Sequence, residues 1–448
     1  MADSTAGRIS TGGKQPYPDT VDPRATTEPV IRLPLATATT AFRSQLEDWI
    51  MTERLTRGFA VTDREPRCPF DPSARLAAMA GEEEPTRVPM YEPRFGDADV
   101  LLVSRYADVR AALGDTRLRY SRLPLADGSP RTYLPGFLPD FDGAEHTRLR
   151  RMVSGIFTPK RVQTLRPMIE RIVAERLDAL DEAGPGTDLV EAFALTIPSD
   201  VIGEILGVPT SLRGDFHRLS AGIVNFANSP AVYFSHLAAF GAYVTSMVDE
   251  IRRNPAEGLI SSLLAEGDEK ITDAEIIGLT SALVVAGHET TASMLGVSAL
   301  ALIQRPDQRA LLLDDAVPTK NAVEELLRYM SVSGVFPRAA TEDVTIGSWR
   351  VKAGERVLVS LLNANRDPEL VSDPDRLDLS REPAAHLAFG FGSHQCPGQH
   401  LARLELQLAL PALFRRFPGL ELAVPADELV FHQDGANVYG LEALPVTW

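Results

Sequence analysis

Cysteine is nearly absent: Cys68 and Cys396 are the only two in 448 residues. That argues against a disulfide framework and for a reduced, intracellular chain. Positive charge is also short, with 45 Lys and Arg against 61 Asp and Glu and a net charge of -16. Non-specific attachment to nucleic acid or to an anionic membrane needs a positive field, so neither partner is expected. The opening MADSTAGRISTGGKQPYPDT has no apolar h-region, which excludes a secretory signal or anchor there and points to the cytoplasm.

What is present suits a soluble enzyme. Hydrophobic residues are 44% and charged residues 24%, enough for a sizeable core. Residues 1–30 are rich in Ser, Thr, Gly, Pro and Asp and read as a flexible arm. Residues 31–448 are expected to form one large domain, and the protein a monomer.

Helical spacing dominates RLRRMVSGIF, LRPMIERIVAERLDAL, IPSDVIGEILGV and FSHLAAFGAYVTSMVDEIRR. VTIGSWRVKAGERVLVSL, LELAV and LEALPVTW read as strands, and DADVLLVSRYADVRAAL as a strand followed by a helix. The fold class is therefore mainly α with a minor β region. The stretch 122–143 is broken throughout by Pro and Gly and predicts a long irregular loop.

The longest helical pattern, Asp273 to Gln304, opens on the capping-box sequence Thr272-Asp273-Ala274-Glu275 and stops before Pro306. At 1.5 Å per residue it would span roughly 48 Å. It is apolar almost all round, yet its centre is Ala286-Gly287-His288-Glu289-Thr290-Thr291. A carboxylate at the midpoint argues against a membrane span. Two readings of the cluster stay open. It is either a set of satisfied polar residues on a buried helix, or a place where Gly287 admits a bulky group while Glu289 and Thr290 handle protons beside it.

Cys396 lies in FGFGSHQCPG, directly before the amphipathic QHLARLELQLALPALFRRF. A lone cysteine is most often a small buried hydrophobe. Here glycines permit tight turning, and a helix N-terminus would stabilise a thiolate. A phosphate loop lacks GxxxxGK[ST], and a cysteine nucleophile with His394 as base matches no hydrolase elbow.

Phe389-Gly390-x-Gly392-x-His394-x-Cys396-x-Gly398 resembles the haem-binding signature of the cytochrome P-450 superfamily. The resemblance runs from about residue 65 to Trp448 and looks bacterial in type. It implies the cytochrome P-450 fold, with the long central helix over haem b (iron protoporphyrin IX) and Cys396 as axial thiolate, a ligand that favours O–O cleavage. It implies that Ala286 and Gly287 border the haem and that Glu289 and Thr290 are the proton-handling catalytic pair. Glu325-Leu326-Leu327-Arg328 resembles the family's ExxR motif, a buried structural triad whose expected third member is Arg376. His146, Arg150, Arg338 and His394 resemble its haem-propionate ligands, with Phe389, Gly390 and Gly398 shaping the loop.

Two departures stand out. Asp142-Gly143-Ala144-Glu145-His146 lacks the proline often found before the Glu-His pair, which would loosen the start of that helix. Pro397, following the ligand, has no N–H to donate to sulfur, so the thiolate should keep more electron density.

The implied activity is a monooxygenase that puts one oxygen atom of dioxygen into a C–H or C=C bond. The alternative is haem-thiolate chemistry of another kind: isomerase, dehydratase, ring-forming oxidation or peroxygenase. Electrons would come from a ferredoxin and its reductase, docking near Arg403 and Arg148–Arg151. The pocket is expected from 122–140, 223–240, Ala286, Val335 and Phe336, largely apolar. A bulky apolar intermediate of secondary metabolism is the expected substrate.

Overall fold

The local signals at the ends of the long central pattern explain the element on which the molecule is built. In the computed structural model the Thr272 hydroxyl accepts the Glu275 N–H while the Glu275 carboxylate accepts the Thr272 N–H at 2.8 Å. That reciprocal cap starts a helix of 32 residues, Asp273–Gln304, and Pro306 begins the next one. The structure describes residues 64–65, 68–80, 86–92, 96–120, 134–215, 218–220, 223, 230–267, 270–432 and 438–448. These fall within one compact unit, 57–448. The arm expected at 1–30 lies outside the described residues, as do 122–133 and 224–229 of the expected pocket segments.

Among the described residues the main sheet has five strands: β1 (Thr86–Glu92), β2 (Gly96–Val103), β3 (Leu118–Arg119), β4 (Val335–Ala340) and β5 (Arg356–Ser360), in the order β1-β2-β5-β4-β3. Only β2 and β5 run parallel, with Leu102 opposite Leu358. Val344–Ile346 and Trp349–Val351 form a separate hairpin, and Glu421–Leu422 pairs with Val446–Thr447. The alternating stretches thus become strands.

The helices that matter for the site are α1 (Tyr106–Gly114), α2 (Gly143–Ser154), α3 (Arg166–Ala183), α4 (Thr196–Leu206), α5 (Pro230–Arg253), α6 (Asp273–Gln304), α7 (Pro306–Leu313), α8 (Thr319–Met330) and α9 (Gln399–Arg416). Helix α6 packs on α4, α5 and α9, and its Leu279, Leu295, Leu300 and Leu302 join one large core with Leu401, Leu404 and Phe414 of α9. A second core binds α1 to the sheet through Val103, Val109, Val357 and Val359. Burying each such side chain contributes about 1.5–3 kcal/mol, which is why apolar spacing outweighs local propensity here.

The chain 134–138 crosses the first turns of α6 at very close range. A Cβ on Gly278 would fall 1.8 Å from the Pro135 carbonyl, and one on Gly136, at φ +76°, would strike Glu275 backbone atoms. Glycine on both sides allows the crossing.

Candidate haem-thiolate site

The loop that carries Cys396 is built by backbone bonds before any side chain contributes. The Cys396 N–H donates to the Phe389 carbonyl at 2.9 Å, and Gly390 N–H to Leu387 at 2.8 Å. Gly390 and Gly392 both adopt positive φ, +68° and +77°. At Gly392 a Cβ would also lie 2.5 Å from the Leu113 carbonyl, so glycine lets the loop sit on α1. Phe391 packs into the α1–sheet core and lies under the Arg110 guanidinium, 4.2 Å from ring centre to carbon. Gly398 is different: its φ is -79°, and a Cβ would make ordinary contact with the Cys396 sulfur at 3.9 Å. The chain itself imposes no glycine there.

Cys396 precedes α9, with the backbone N–H groups of Gly398 and Gln399 near its sulfur. Burial pushes the thiol's pKa up; those amides and the nearby guanidinium groups of Arg150 and Arg403 pull it down. An isolated Cys396 stays a thiol, and a bound cation would deprotonate it outright.

Two arginines and two histidines gather beside the loop, from three parts of the chain. Arg150 of α2 donates to the carbonyls of Ser393 at 2.9 Å and Gln395 at 2.6 Å. His394 donates from Nε2 to Asp142 at 2.9 Å, and its ring lies 4.3 Å from that of His146. Asp142 therefore leaves the start of α2 without a side-chain cap, where the missing proline had been noted. Burial, then the positive fields of His394 and Arg150, hold His146 at about 4. Arg338 of β4 is 6% exposed and donates to the Pro337 carbonyl at 2.8 Å. Among the described residues neither Arg150 nor Arg338 forms an ion pair with a carboxylate. A buried guanidinium without a counter-ion is costly. A ligand with two carboxylates beside a metal that takes thiolate meets both needs, so the residues present fit iron protoporphyrin IX.

On α6 the buried pattern breaks at Val285, Ala286, Gly287 and Thr290, with Ala286 exposed in mid-helix. Ala286 and Thr290 are one turn apart, and the Thr290 hydroxyl donates to the Ala286 carbonyl at 3.1 Å. Glu289 points elsewhere: it is 3% exposed, with its carboxylate 3.4 Å from His288 Nε2. His288 Nδ1 donates to Val284 at 2.6 Å, which leaves Nε2 to accept the Ser220 hydroxyl at 3.0 Å. This partnership of His288 was missed in the sequence, because Ser220 arrives from another segment.

One expectation needs correction, the third member of the triad, and the packing of three other expected residues is now defined. The triad on Glu325 is completed by Arg381: Arg328 bonds Glu325 at 2.7 and 2.9 Å, and Arg381 Nε adds a bond at 3.2 Å. The Arg376 side chain is 65% exposed, 3.9 Å from Asp378, and contributes only its carbonyl, to Arg328 and Arg381. The 373–381 meander, with Asp373 at φ +51°, turns that side chain outward. Gly287 faces α4, where a Cβ would fall 2.9 Å from Ile202, so its missing side chain serves helix packing. Val335 joins Leu76, Val88, Val100 and Leu358 in the sheet core, and Phe336 packs on the opposite core with Val359. Successive strand residues point to opposite faces, so only one of the two can share a face with Arg338.

The cations expected to meet a redox partner are mostly engaged. Arg403 is bonded twice to Glu324, and Arg148 to Glu145 and Glu275. Arg151 is exposed and, among the described residues, makes no ion pair.

A cysteine at a helix start, with two arginines and two histidines beside its loop, is the arrangement that a haem thiolate would need. The family model for cytochrome P450 matches residues 317–427. Cytochrome P450-SU2 of Streptomyces griseolus is 40% identical over 394 residues, 86% of this chain and 96% of the relative. Nocardicin C N-oxygenase of Nocardia uniformis is 42% identical over 358 residues, 78% of this chain and 90% of the relative. The crystal structure of CYP105P1 in complex with filipin I superposes with a TM-score of 0.79 at 39% identity, covering 86% of this chain and 98% of that one. The chain belongs to the cytochrome P450 family. It is a haem-thiolate monooxygenase of bacterial type with iron protoporphyrin IX as cofactor. No helix among the described residues is long and apolar enough to cross a membrane.

Proposed function

We propose that Cys396 is the axial thiolate, that His146, Arg150, Arg338 and His394 hold the two propionates, and that Thr290 and Glu289 move protons. The observation that carries this is Arg338, buried with no carboxylate partner among the described residues, beside a cysteine loop already clamped by Arg150. When bound, the haem supplies oxygen activation: one atom of dioxygen enters a substrate C–H or C=C bond, and the other leaves as water with two electrons and two protons consumed. Phe389, Gly390 and Gly398 shape the loop against one side of the cofactor, and Ala286 offers a small surface to the other. The half-buried Thr290 hydroxyl gives its own proton to the Ala286 carbonyl and turns its lone pairs to that surface, where it accepts and orients a proton donor. Glu289, backed by His288 and Ser220, supplies protons from inside the protein.

The substrate in this reading is a mostly apolar secondary-metabolite intermediate. Relatives named for nocardicin C and crystallised with filipin I support that class. A ferredoxin and its reductase supply electrons in the cytoplasm, meeting the exposed Arg151 on the cysteine-loop side. The test is the difference spectrum of the reduced protein with carbon monoxide. A Soret band at about 450 nm that vanishes in Cys396→Ser supports the assignment. Its survival in that variant would overturn it.

A further inference from the structure

Glu324 immediately precedes the ExxR glutamate on α8 but turns to another part of the molecule. Its carboxylate accepts from Arg403 Nε at 2.6 Å and Nη2 at 3.0 Å, a bidentate pair. The same carboxylate accepts from His386 Nε2 at 3.0 Å. Both partners belong to the frame of the cysteine loop. His386 opens it, and its Nδ1 accepts the Ala388 N–H at 3.2 Å, which fixes the ring as an Nε2 donor. Arg403 lies on α9 and reaches back one turn to the Gln399 carbonyl at 3.2 Å and to Gln399 Oε1 at 3.0 Å. Gln399 opens α9 three residues after Cys396, and its backbone N–H helps pull the thiol's pKa down. The Arg403 guanidinium also stacks 4.4 Å from the centre of the Phe389 ring, and Phe389 supplies the carbonyl that accepts the Cys396 N–H.

One carboxylate thus reaches both backbone neighbourhoods of the cysteine, through the Arg403 guanidinium on one side and the neutral His386 imidazole on the other. We propose that Glu324 is a positioning residue for haem ligation, which through Arg403 and His386 fixes the Cys396 loop and offsets the positive charge near the sulfur. This rests on the assignment of Cys396 as the iron ligand. Burial would push the Glu324 carboxyl up, but the bonds from His386 and Arg403 outweigh it and hold the group at about 2. The ion pair is therefore formed at any physiological pH. Neutralising Glu324 leaves Arg403 uncompensated, a gain of positive charge that favours the reduced iron. Loss of a supporting partner of this kind costs about 10–100-fold in metal-site integrity.

The experiment compares wild type, Glu324→Gln, Glu324→Asp and Arg403→Lys as purified holoenzymes. The readouts are the iron reduction potential, the C–O stretching frequency of the reduced carbon monoxide complex, and the rate of decay to the inactive form absorbing at about 420 nm. Glu324→Gln is expected to raise the potential, raise the stretching frequency and speed the decay by about tenfold. Arg403→Lys keeps the charge but loses the fork, so its potential should stay near wild type while its decay accelerates; Glu324→Asp should recover most of both. A merely structural role would speed decay in Glu324→Gln without moving potential or stretch, and that result would overturn the proposal. So would wild-type values throughout. Should Glu324→Gln fail to fold, Glu324→Asp and Arg403→Lys decide, with wild-type decay in Arg403→Lys overturning the proposal. A wild-type protein lacking the 450 nm band sinks the underlying assignment instead, a distinct result.

Discussion

Around Cys396 the backbone is held from several elements: Arg150 of α2 on the Ser393 and Gln395 carbonyls, Asp142 on His394, and Glu324 of α8 on Arg403 and His386. Around Thr290 the hydroxyl is held by its own helix, through the Ala286 carbonyl. The first region is fixed by charge-assisted bonds between distant segments, and the second by the regularity of α6. A fault in the first should therefore disturb fold and cofactor together, whereas a fault in the second should disturb chemistry and leave the fold alone.

The largest effect is expected where the charged framework is most deeply buried. Arg328→Lys removes the two-pronged bond to Glu325, which is 3% exposed at its side chain, and should destabilise the protein by about 3–5 kcal/mol. Haem-loaded protein should then be recovered poorly, as measured by the ratio of Soret to protein absorbance. The corrected triad is tested beside it. Arg381→Ala should cost about 1–3 kcal/mol in urea unfolding, and Arg376→Ala, at an exposed side chain, within about 0.5. Equal losses would refute the assignment of Arg381.

The next effect is pH dependent and belongs to the same side. His146 is held at about 4, below the roughly 6.5 of an unfolded histidine. Between those values the unfolded chain binds the extra proton, so folding weakens as pH falls from about 6.5 toward about 4, by up to about 3 kcal/mol. That holds for the haem-free protein. Propionates at His146 would favour its charged form and flatten the slope once haem is bound. Urea midpoints of both forms at about pH 5 and pH 7 check this, and parallel slopes would place the propionates elsewhere.

Thr290→Ala probes the contrasting region. Its folding stability should change little, since the hydroxyl bonds its own helix. The fraction of electrons that ends in product should drop by about tenfold or more, with peroxide released instead. Unchanged coupling, measured as product per NAD(P)H, would mean that the hydroxyl carries no proton.

The same contrast explains what could be read from the sequence. The capping box at Thr272 and Glu275, the apolar run of α6 and the strand alternation at 344–360 are local, and all appear where their spacing puts them. The ten residues around Cys396 carry a motif because their backbone turns demand glycine at 390 and 392. Tertiary pairings left no such trace. Arg376 and Arg381 lie five residues apart in a meander without period, and only the path of the chain decides which side chain meets Glu325. Gly287 reads as an open approach until Ile202 arrives from α4. Glu324 looks like a surface neighbour of the motif, and its reach to Arg403 and His386 depends on α8, α9 and the loop meeting.

The smallest effect expected lies at Pro397, where the two regions' rules meet in one peptide. Proline offers sulfur no N–H, and Pro397→Leu restores one donor next to the ligand. The backbone N–H groups of Gly398 and Gln399 already pull the thiol's pKa down, so a new donor adds to a site partly served by its own helix start. Donation from a new N–H withdraws electron density and should raise the reduction potential. With those amides already favouring the thiolate, the change should stay below tenfold in the one-electron equilibrium, under about 59 mV. Spectroelectrochemical titration of the two holoenzymes measures it. An unchanged potential would mean that the new amide points away from sulfur, leaving the ligand's electron density to the charge of Arg150, Arg403 and Glu324 and to the two amides it already has.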